Sequence, residues 1–534
     1  MPTPYADAVA RYAEDDRARV YVPGHAADPD AAPALTGWFG AELLRRDVPP
    51  LLAGIDKGPG NPLAESLALA ARAWGARRTW FLTNGASQGN RIAALALGAY
   101  RDAAAPVVGQ RSAHSSFIDG VILAGLSPRF VAPAIDPRLG INHGVSPAAL
   151  RAALAGVESP KGVYLISPSY FGAVADVAAL ADIAHAAGAP LIVDAAWGAH
   201  FGFHPDLPEN PLRLGADLVI SSTHKLGGSL TQSAMLHLAG GPFADDLEPL
   251  VERAFMLTQS TSASALLLAS LDLARETLET GHGRIAASIA AADRLRDEIR
   301  TRGRFGIVSD GFGDFDDIVD ADPLRVSIDV ARGGLHGHTV RDRLEREGVS
   351  FEISTDSCVV AVLGAGVVPD VDRIAGALHA IAPERAAGEA SEPLVATGGP
   401  AAVGASTGAP EPAQVRDARP IVALPSPGPL AMLPREAFLA QGEPVPVAAA
   451  IGRVSTDALA AYPPGIPNVL PGEVITAEVV EFLQRIAATP GGYVRGAVDP
   501  TLATLRVVRG ATGADATGHA VEASPADCAL SLVN

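Results

Sequence analysis

The sequence predicts an α/β fold whose large domain holds a mostly parallel sheet covered by helices on both faces. Three observations carry this. Short, almost uninterrupted apolar runs alternate with helical patterns between residues 62 and 226. Those runs have no polar face, as expected for strands buried on both sides. Polar residues gather directly after the runs, at what would be one edge of the sheet.

The elements follow in order. Residues 62–75, PLAESLALAARAWG, read as a helix opened by Pro62 and closed by Gly75. Thr79–Thr83 is a strand, and the turn NGASQGN (84–90) leads into a helix over Arg91–Tyr100. Val163–Ile166 is a strand, Asp176 caps a helix over Val177–Ala187, and Gly188 ends it. Leu191–Val193 runs into Asp194, and Leu218–Ile220 runs into Ser221. Residues 262–300 are helical in pattern, with a long stretch from Gly283 to Arg300. Strand-like runs at Arg325–Ile328 and Cys358–Leu363 predict a smaller α+β domain. An Ala/Gly/Pro/Ser-rich region over 384–420 reads as a linker, and structure signals resume by Ala437. The expected organisation is an N-terminal arm (1–30), a large domain (31–282), a small α+β domain (283–383), the linker (384–420) and a C-terminal α+β domain (421–534).

Bulk properties exclude several functions. A net charge of −18 over 534 residues offers no basic face for nucleic acid. No apolar run reaches the roughly 20 residues of a membrane helix. Asp7, Glu14, Asp15 and Asp16 interrupt the first twenty residues, so no signal peptide is expected. The two cysteines, Cys358 and Cys528, form no metal or disulfide pattern, which suits a cytoplasmic protein. His200 and His204 have zinc-like spacing, but Gly202 and Pro205 break the helix it needs. The acidic run over 310–322 lacks the ordered ligand spacing of a calcium loop. The glycines over 398–408 follow no strand and are not a dinucleotide fingerprint. No metal is expected.

NGAS (84–87), SPSY (167–170), Asp194 and SSTHK (221–225) all follow strand ends. Parallel strands would bring them to one edge, with Lys225 in a cleft beside Asp194. Pyridoxal phosphate asks for such a set: a lysine amine for its Schiff base, an acid for its pyridine nitrogen, and a phosphate cradle. Lys225, Asp194 and the NGAS helix start with Ser87 fit those needs. Taken singly, each has a plainer reading, since a strand-ending Asp is most often a turn residue.

With DAAWGAHFGFHP (194–205), PGH (23–25), HSSFIDG (114–120), IGRVS (451–455) and YPPGIPNVLPGE (462–473), the chain resembles the Orn/Lys/Arg decarboxylases. The likeness is to the shorter members, with no receiver-like domain before PGH. It implies a pyridoxal-phosphate fold of type I, at least a homodimer, and decarboxylation of lysine, arginine or ornithine. Transamination or oxidation of a cationic amino acid is the alternative. By that resemblance Lys225 would carry the cofactor, Asp194 would face its pyridine nitrogen and His114 would cover its ring. Ala86, Ser87 and Ser222 would hold the phosphate, Ala196 and Trp197 would pack beside the ring, and His224 would supply a proton. The acid for the substrate's far end would be Glu473, with Glu352 second; otherwise Glu473 caps a helix starting near Thr476. Departures are Ala86 for the family's usual Thr, Ala195 for an acid, HKLGG for an HKTL-type run, and Ala26-Ala27 after PGH.

Overall fold

The computed structural model describes residues 1–101, 104–381, 425–462, 466–488 and 492–512. The expected linker over 384–420 lies outside them.

An amphipathic helix, α1 (Pro4–Glu14), buries Tyr5, Ala8 and Val9 against the main core. Asp272 holds its start by accepting from the backbone N–H of Tyr5 at 3.1 Å and of Ala6 at 3.3 Å. Helix α2 (Pro62–Trp74) is capped by Asn61 and stops at Gly75, which adopts φ +75°, as a C-terminal glycine should.

The central sheet contains β1 (Arg78–Leu82), β2 (Val107–Gln110), β3 (Pro128–Val131), β4 (Gly162–Ile166), β5 (Leu191–Asp194), β6 (Leu218–Ser221) and β7 (Ala234–Leu238). Their spatial order is β1-β7-β6-β5-β4-β2-β3. Strands β3, β2, β4, β5 and β6 are mutually parallel; β7 runs against both β6 and β1. Apart from the ends of β1 and β4 and the middle of β3, every residue of these strands is buried, which is why they read as unbroken apolar runs.

Helix α3 (Gly85–Ala99) begins earlier than the expected Arg91. NGAS is itself its first turn, made possible by Gly85 at φ +73°. Helices α4 (Ser115–Ala124) and α5 (Val177–Ala186) follow, the latter capped by Asp176 as read from sequence. A single-turn helix, α6 (Thr223–Leu226), closes directly on β6.

The long helix α7 (His282–Arg302) leads to an antiparallel sheet of β8 (Gly306–Ile307), β9 (Arg325–Asp329), β10 (Ile353–Ser354) and β11 (Cys358–Val362), ordered β8-β9-β11-β10. Its residues Val326, Ile328 and Val359 share one apolar cluster with Val163 and Val193 of the central sheet. Two three-stranded sheets form the C-terminal part of the described chain: β12 (Gly442–Pro446), β13 (Arg453–Ser455) and β17 (Thr504–Thr512), and β14 (Leu459–Tyr462), β15 (Pro467–Val469) and β16 (Tyr493–Arg495). Helix α8 (Ala477–Ala487) packs on them around Val479, Phe482 and Leu483.

Candidate active site

Strand register sets the level of the site. Ile166 pairs with Asp194 and Asp194 with Ile220, so Ser167, Asp194 and Ser221 end at one height. Above that edge lies a cavity of about 700 Å³. Ala86, Ser87, His114, Asp194, Ala196, Trp197, Ser222, His224, Lys225 and Glu352 all line it. The strand-end logic thus gathers residues that stand as far apart in the chain as Ala86 and Glu352.

Asp194 is 4% exposed, and its carboxylate is held on both oxygens. Oδ2 accepts from Tyr164 Oη at 2.8 Å and Asn90 Nδ2 at 3.0 Å; Oδ1 accepts from the Ala196 N–H at 3.0 Å. A buried carboxylate with charge-stabilising donors and no cation bonded to it among the described residues suits a partner that brings a positive N–H. Burial together with the adjoining Asp194 charge pushes the Tyr164 hydroxyl pKa far up, so it stays a donor.

The network continues to His114. Asn90 also donates to Ser116 Oγ at 3.0 Å, and Ser116 meets His114 Nδ1 through its Oγ at 2.7 Å and its N–H at 3.2 Å. Because Nδ1 accepts from a backbone N–H, the neutral ring carries its proton on Nε2. Burial lowers the pKa of His114 against the opposing pull of Asp194.

Lys225 Nζ lies 3.6 Å from the centroid of the Trp197 ring, and Arg325 Cζ lies 4.3 Å from the same centroid. Burial strips water from the amine and brings its pKa from 10.5 down to about 8, although Asp194 pulls the other way. An amine so tuned is uncharged, hence nucleophilic, far more often near neutrality than an exposed lysine. His224 is also lowered, first by burial and then by the Lys225 charge.

The start of α3 has no side-chain cap among the described residues, and Gly85, Ala86 and Ser87 of its first turn line the cavity. A dianion meets such a helix start favourably. Pyridoxal phosphate therefore fits the residues present: an amine of lowered pKa, a braced carboxylate and an anion cradle.

Glu352 lines the cavity and accepts from Tyr170 Oη at 3.2 Å. Glu473 departs from both expectations. It is 4% exposed and forms a bidentate ion pair with Arg111, a residue just past the end of β2. It also accepts from the Leu470 N–H at 2.8 Å, while Thr476 rather than Glu473 caps α8. The reason is charge balance, because a buried guanidinium demands a carboxylate. His200 bonds Asp322 at 3.0 Å in the core, and no cluster of metal-ligand residues occurs among the described residues.

Sequence reasoning missed Tyr164 and Arg111, and it gave no role of their own to Asn90 and Tyr170, which it met only within NGASQGN (84–90) and SPSY (167–170). The signal for Tyr164 was a lone hydroxyl inside an apolar strand.

The family model described as Orn/Lys/Arg decarboxylase, major domain, matches residues 3–368, and the one described as its C-terminal domain matches residues 426–491. The chain is 31% identical over 512 residues to an arginine decarboxylase of Bacillus subtilis, covering 95% of this chain and 98% of that one. It is 31% identical over 525 residues to an arginine decarboxylase of Halalkalibacterium halodurans, with the same coverage of 95% and 98%. Among solved structures, a lysine decarboxylase of Francisella novicida superposes with a TM-score of 0.73 at 17% identity, covering 95% of this chain and 80% of that chain.

Proposed function

This chain belongs to the Orn/Lys/Arg decarboxylase family, and from that premise we propose that it removes the α-carboxylate of arginine to give CO2 and agmatine. It is a pyridoxal-phosphate-dependent amino-acid decarboxylase of fold type I. Arginine is favoured within the family because relatives matched over 95% of this chain are named arginine decarboxylases.

The observation that carries the reading is the pairing of Lys225 and Glu352 across one cavity. Glu352 forms no ion pair among the described residues, and its charge is felt at Lys225 and His224. A cationic side chain entering the cleft meets this acid, which offsets the cost of desolvating its charge.

Pyridoxal phosphate, when bound, supplies the electron sink for the pair left behind as CO2 departs. Lys225 would be its attachment point. Asp194, braced by Tyr164, Asn90 and the Ala196 N–H, would hold a proton on the pyridine nitrogen. Ala86, Ser87 and Ser222 would receive the phosphate, His114 would cover the ring, and Ala196 and Trp197 would border it. Lys225 or His224 would return the proton to Cα.

The working unit is proposed to be a homodimer in the cytoplasm. Trp38 is 83% exposed, with Leu35 and Phe39 exposed beside it, and a second copy would cover this apolar surface. No described helix is long and apolar enough to cross a membrane. The test is to incubate the holoenzyme with arginine, lysine and ornithine and to measure CO2, amine, ammonia and peroxide. Agmatine with stoichiometric CO2 supports the reading. Keto acid without free ammonia overturns it in favour of transamination, and ammonia with peroxide overturns it in favour of oxidation.

A further inference from the structure

Tyr170 joins the two ends of the cleft. Its ring meets the Trp197 ring edge-on, with 4.8 Å between centroids and 61° between planes, and Lys225 Nζ lies 3.6 Å from the centroid of that same Trp197 ring. At its other end Tyr170 Oη donates to Glu352 Oε1 at 3.2 Å. Tyr170, Trp197, Lys225 and Glu352 all line the one cavity. A continuous run of contacts thus leads from the reactive amine to the distal acid.

Tyr170 is itself held from two sides. Its carbonyl accepts from Arg325 Nη1 at 2.7 Å. Its ring packs against two buried clusters, one containing Val193 and Leu226, the other Phe171 and Val360. Glu352 is anchored through its backbone, whose N–H donates to the Val360 carbonyl at 3.1 Å, but the residue is exposed. An exposed glutamate samples several side-chain rotamers, and fixing one costs conformational entropy. The bond to Tyr170, which spans 182 positions of the chain, settles that choice before any ligand arrives. It engages Oε1 alone, and a carboxylate has about four lone-pair sites, so acceptor capacity remains for a ligand.

A planar guanidinium pairs best with a carboxylate whose plane and depth are already set. A mobile acid would meet cations at several depths, and a tethered one meets them at one. We infer that Tyr170 is a positioning residue that fixes Glu352 at one depth in the cleft, so that cationic amino acids are discriminated by side-chain length. The inference rests on the decarboxylation of arginine proposed above, with Glu352 as its distal acid.

The test keeps the head group and varies the reach. The substrates 2-amino-4-guanidinobutyrate, arginine and homoarginine carry one guanidinium on side chains of successive length. The wild-type holoenzyme is expected to favour arginine over both homologues. Tyr170→Phe keeps the ring against Trp197 and removes only the hydroxyl. It should lower kcat/KM for arginine about tenfold, the scale of one lost hydrogen bond to a charged group, and mostly through KM. The two homologues should change by less than about threefold, so the length preference flattens while the absorption of the bound cofactor persists. Adding Tyr170→Phe to Glu352→Gln should cost little more than Glu352→Gln alone, because both act on one contact. An equal loss on all the substrates, or fully additive losses in the double variant, would place the hydroxyl outside this contact and overturn the inference. An unaltered length preference in Tyr170→Phe would overturn it equally. An unchanged KM in Glu352→Gln would remove the distal acid, and the inference would fall with it. If the wild type turns over lysine and not arginine, the choice of arginine falls by itself. Ornithine, lysine and homolysine then decide the role of Tyr170 in the same way.

Discussion

Tyr164 Oη donates to Asp194 Oδ2 at 2.8 Å, and both groups are buried on neighbouring parallel strands. Asp194→Ala should lower kcat by at least about a hundredfold, the scale on which preorganised electrostatics stabilise developing charge. Cofactor affinity should fall less. Tyr164→Phe removes only a donor and should lower kcat about fivefold to tenfold. Steady-state rates and cofactor titration of the three proteins check the ranking; a near-normal Asp194→Ala rate would reduce Asp194 to a turn residue.

Lys225→Ala should abolish turnover yet still bind pyridoxal phosphate weakly through the α3 start and His114. Borohydride treatment of the wild-type holoenzyme should fix the cofactor to the peptide carrying Lys225. Lys161 is a poor rival, since its Nζ is caged by the carbonyls of Tyr100 at 2.7 Å and Gly98 at 3.2 Å. Peptide mapping decides it, and a label on Lys161 or Lys57 would remove Lys225 from the site.

The lowered pKa of Lys225 fixes the sign of a pH effect. Only the uncharged amine attacks an aldehyde, and the fraction uncharged rises through about pH 8 rather than 10.5. Attachment of added cofactor to cofactor-free protein should therefore accelerate from pH 6.5 to 8 and level off above about 8.5. In the same direction, burial of this lysine penalises the cofactor-free fold below pH 8, where the amine must be charged, and the penalty fades as pH rises towards 10.5. Stopped-flow absorbance and thermal unfolding of the cofactor-free protein report the two effects. A midpoint near 10 would mean that the amine is solvated.

Glu473→Gln should act on stability first. It leaves Arg111 charged and buried, which costs about 3–5 kcal/mol. Replacing both partners by apolar residues, Arg111→Met with Glu473→Leu, should recover much of that loss. Urea unfolding of the single and double variants measures the coupling.

Glu352→Gln should raise KM for the basic substrate strongly with the cofactor spectrum unchanged. An unchanged KM would transfer the distal charge contact to another acid of the cleft.

Much of the site was legible because it rests on direction. Parallel strands ending in polar residues place Ser87, Asp194, Ser222 and Lys225 on one edge, and the residue types alone then suggest the cofactor. The start of α3 was misplaced because Gly and Ser in NGAS carry turn propensity, which the uncapped helix start overrides. Other features depend on contacts no local pattern announces. Asn90 reaches Asp194 across 104 positions, and Arg111 reaches Glu473 across 362. Reading Glu473 as a substrate contact treated its charge as free, when a guanidinium from the far side of the chain already met it.

The Arg111–Glu473 pair also bears on how the enzyme comes into being. The central sheet, Lys225 and Asp194 are all synthesised before residue 240, but Pro467, Pro471 and Arg495 of the cavity wall emerge far later. Until they dock, Arg111 has no counter-charge and the recess around Lys225 lacks part of its wall, so the cleft is complete only once the last described segments have folded onto the sheet.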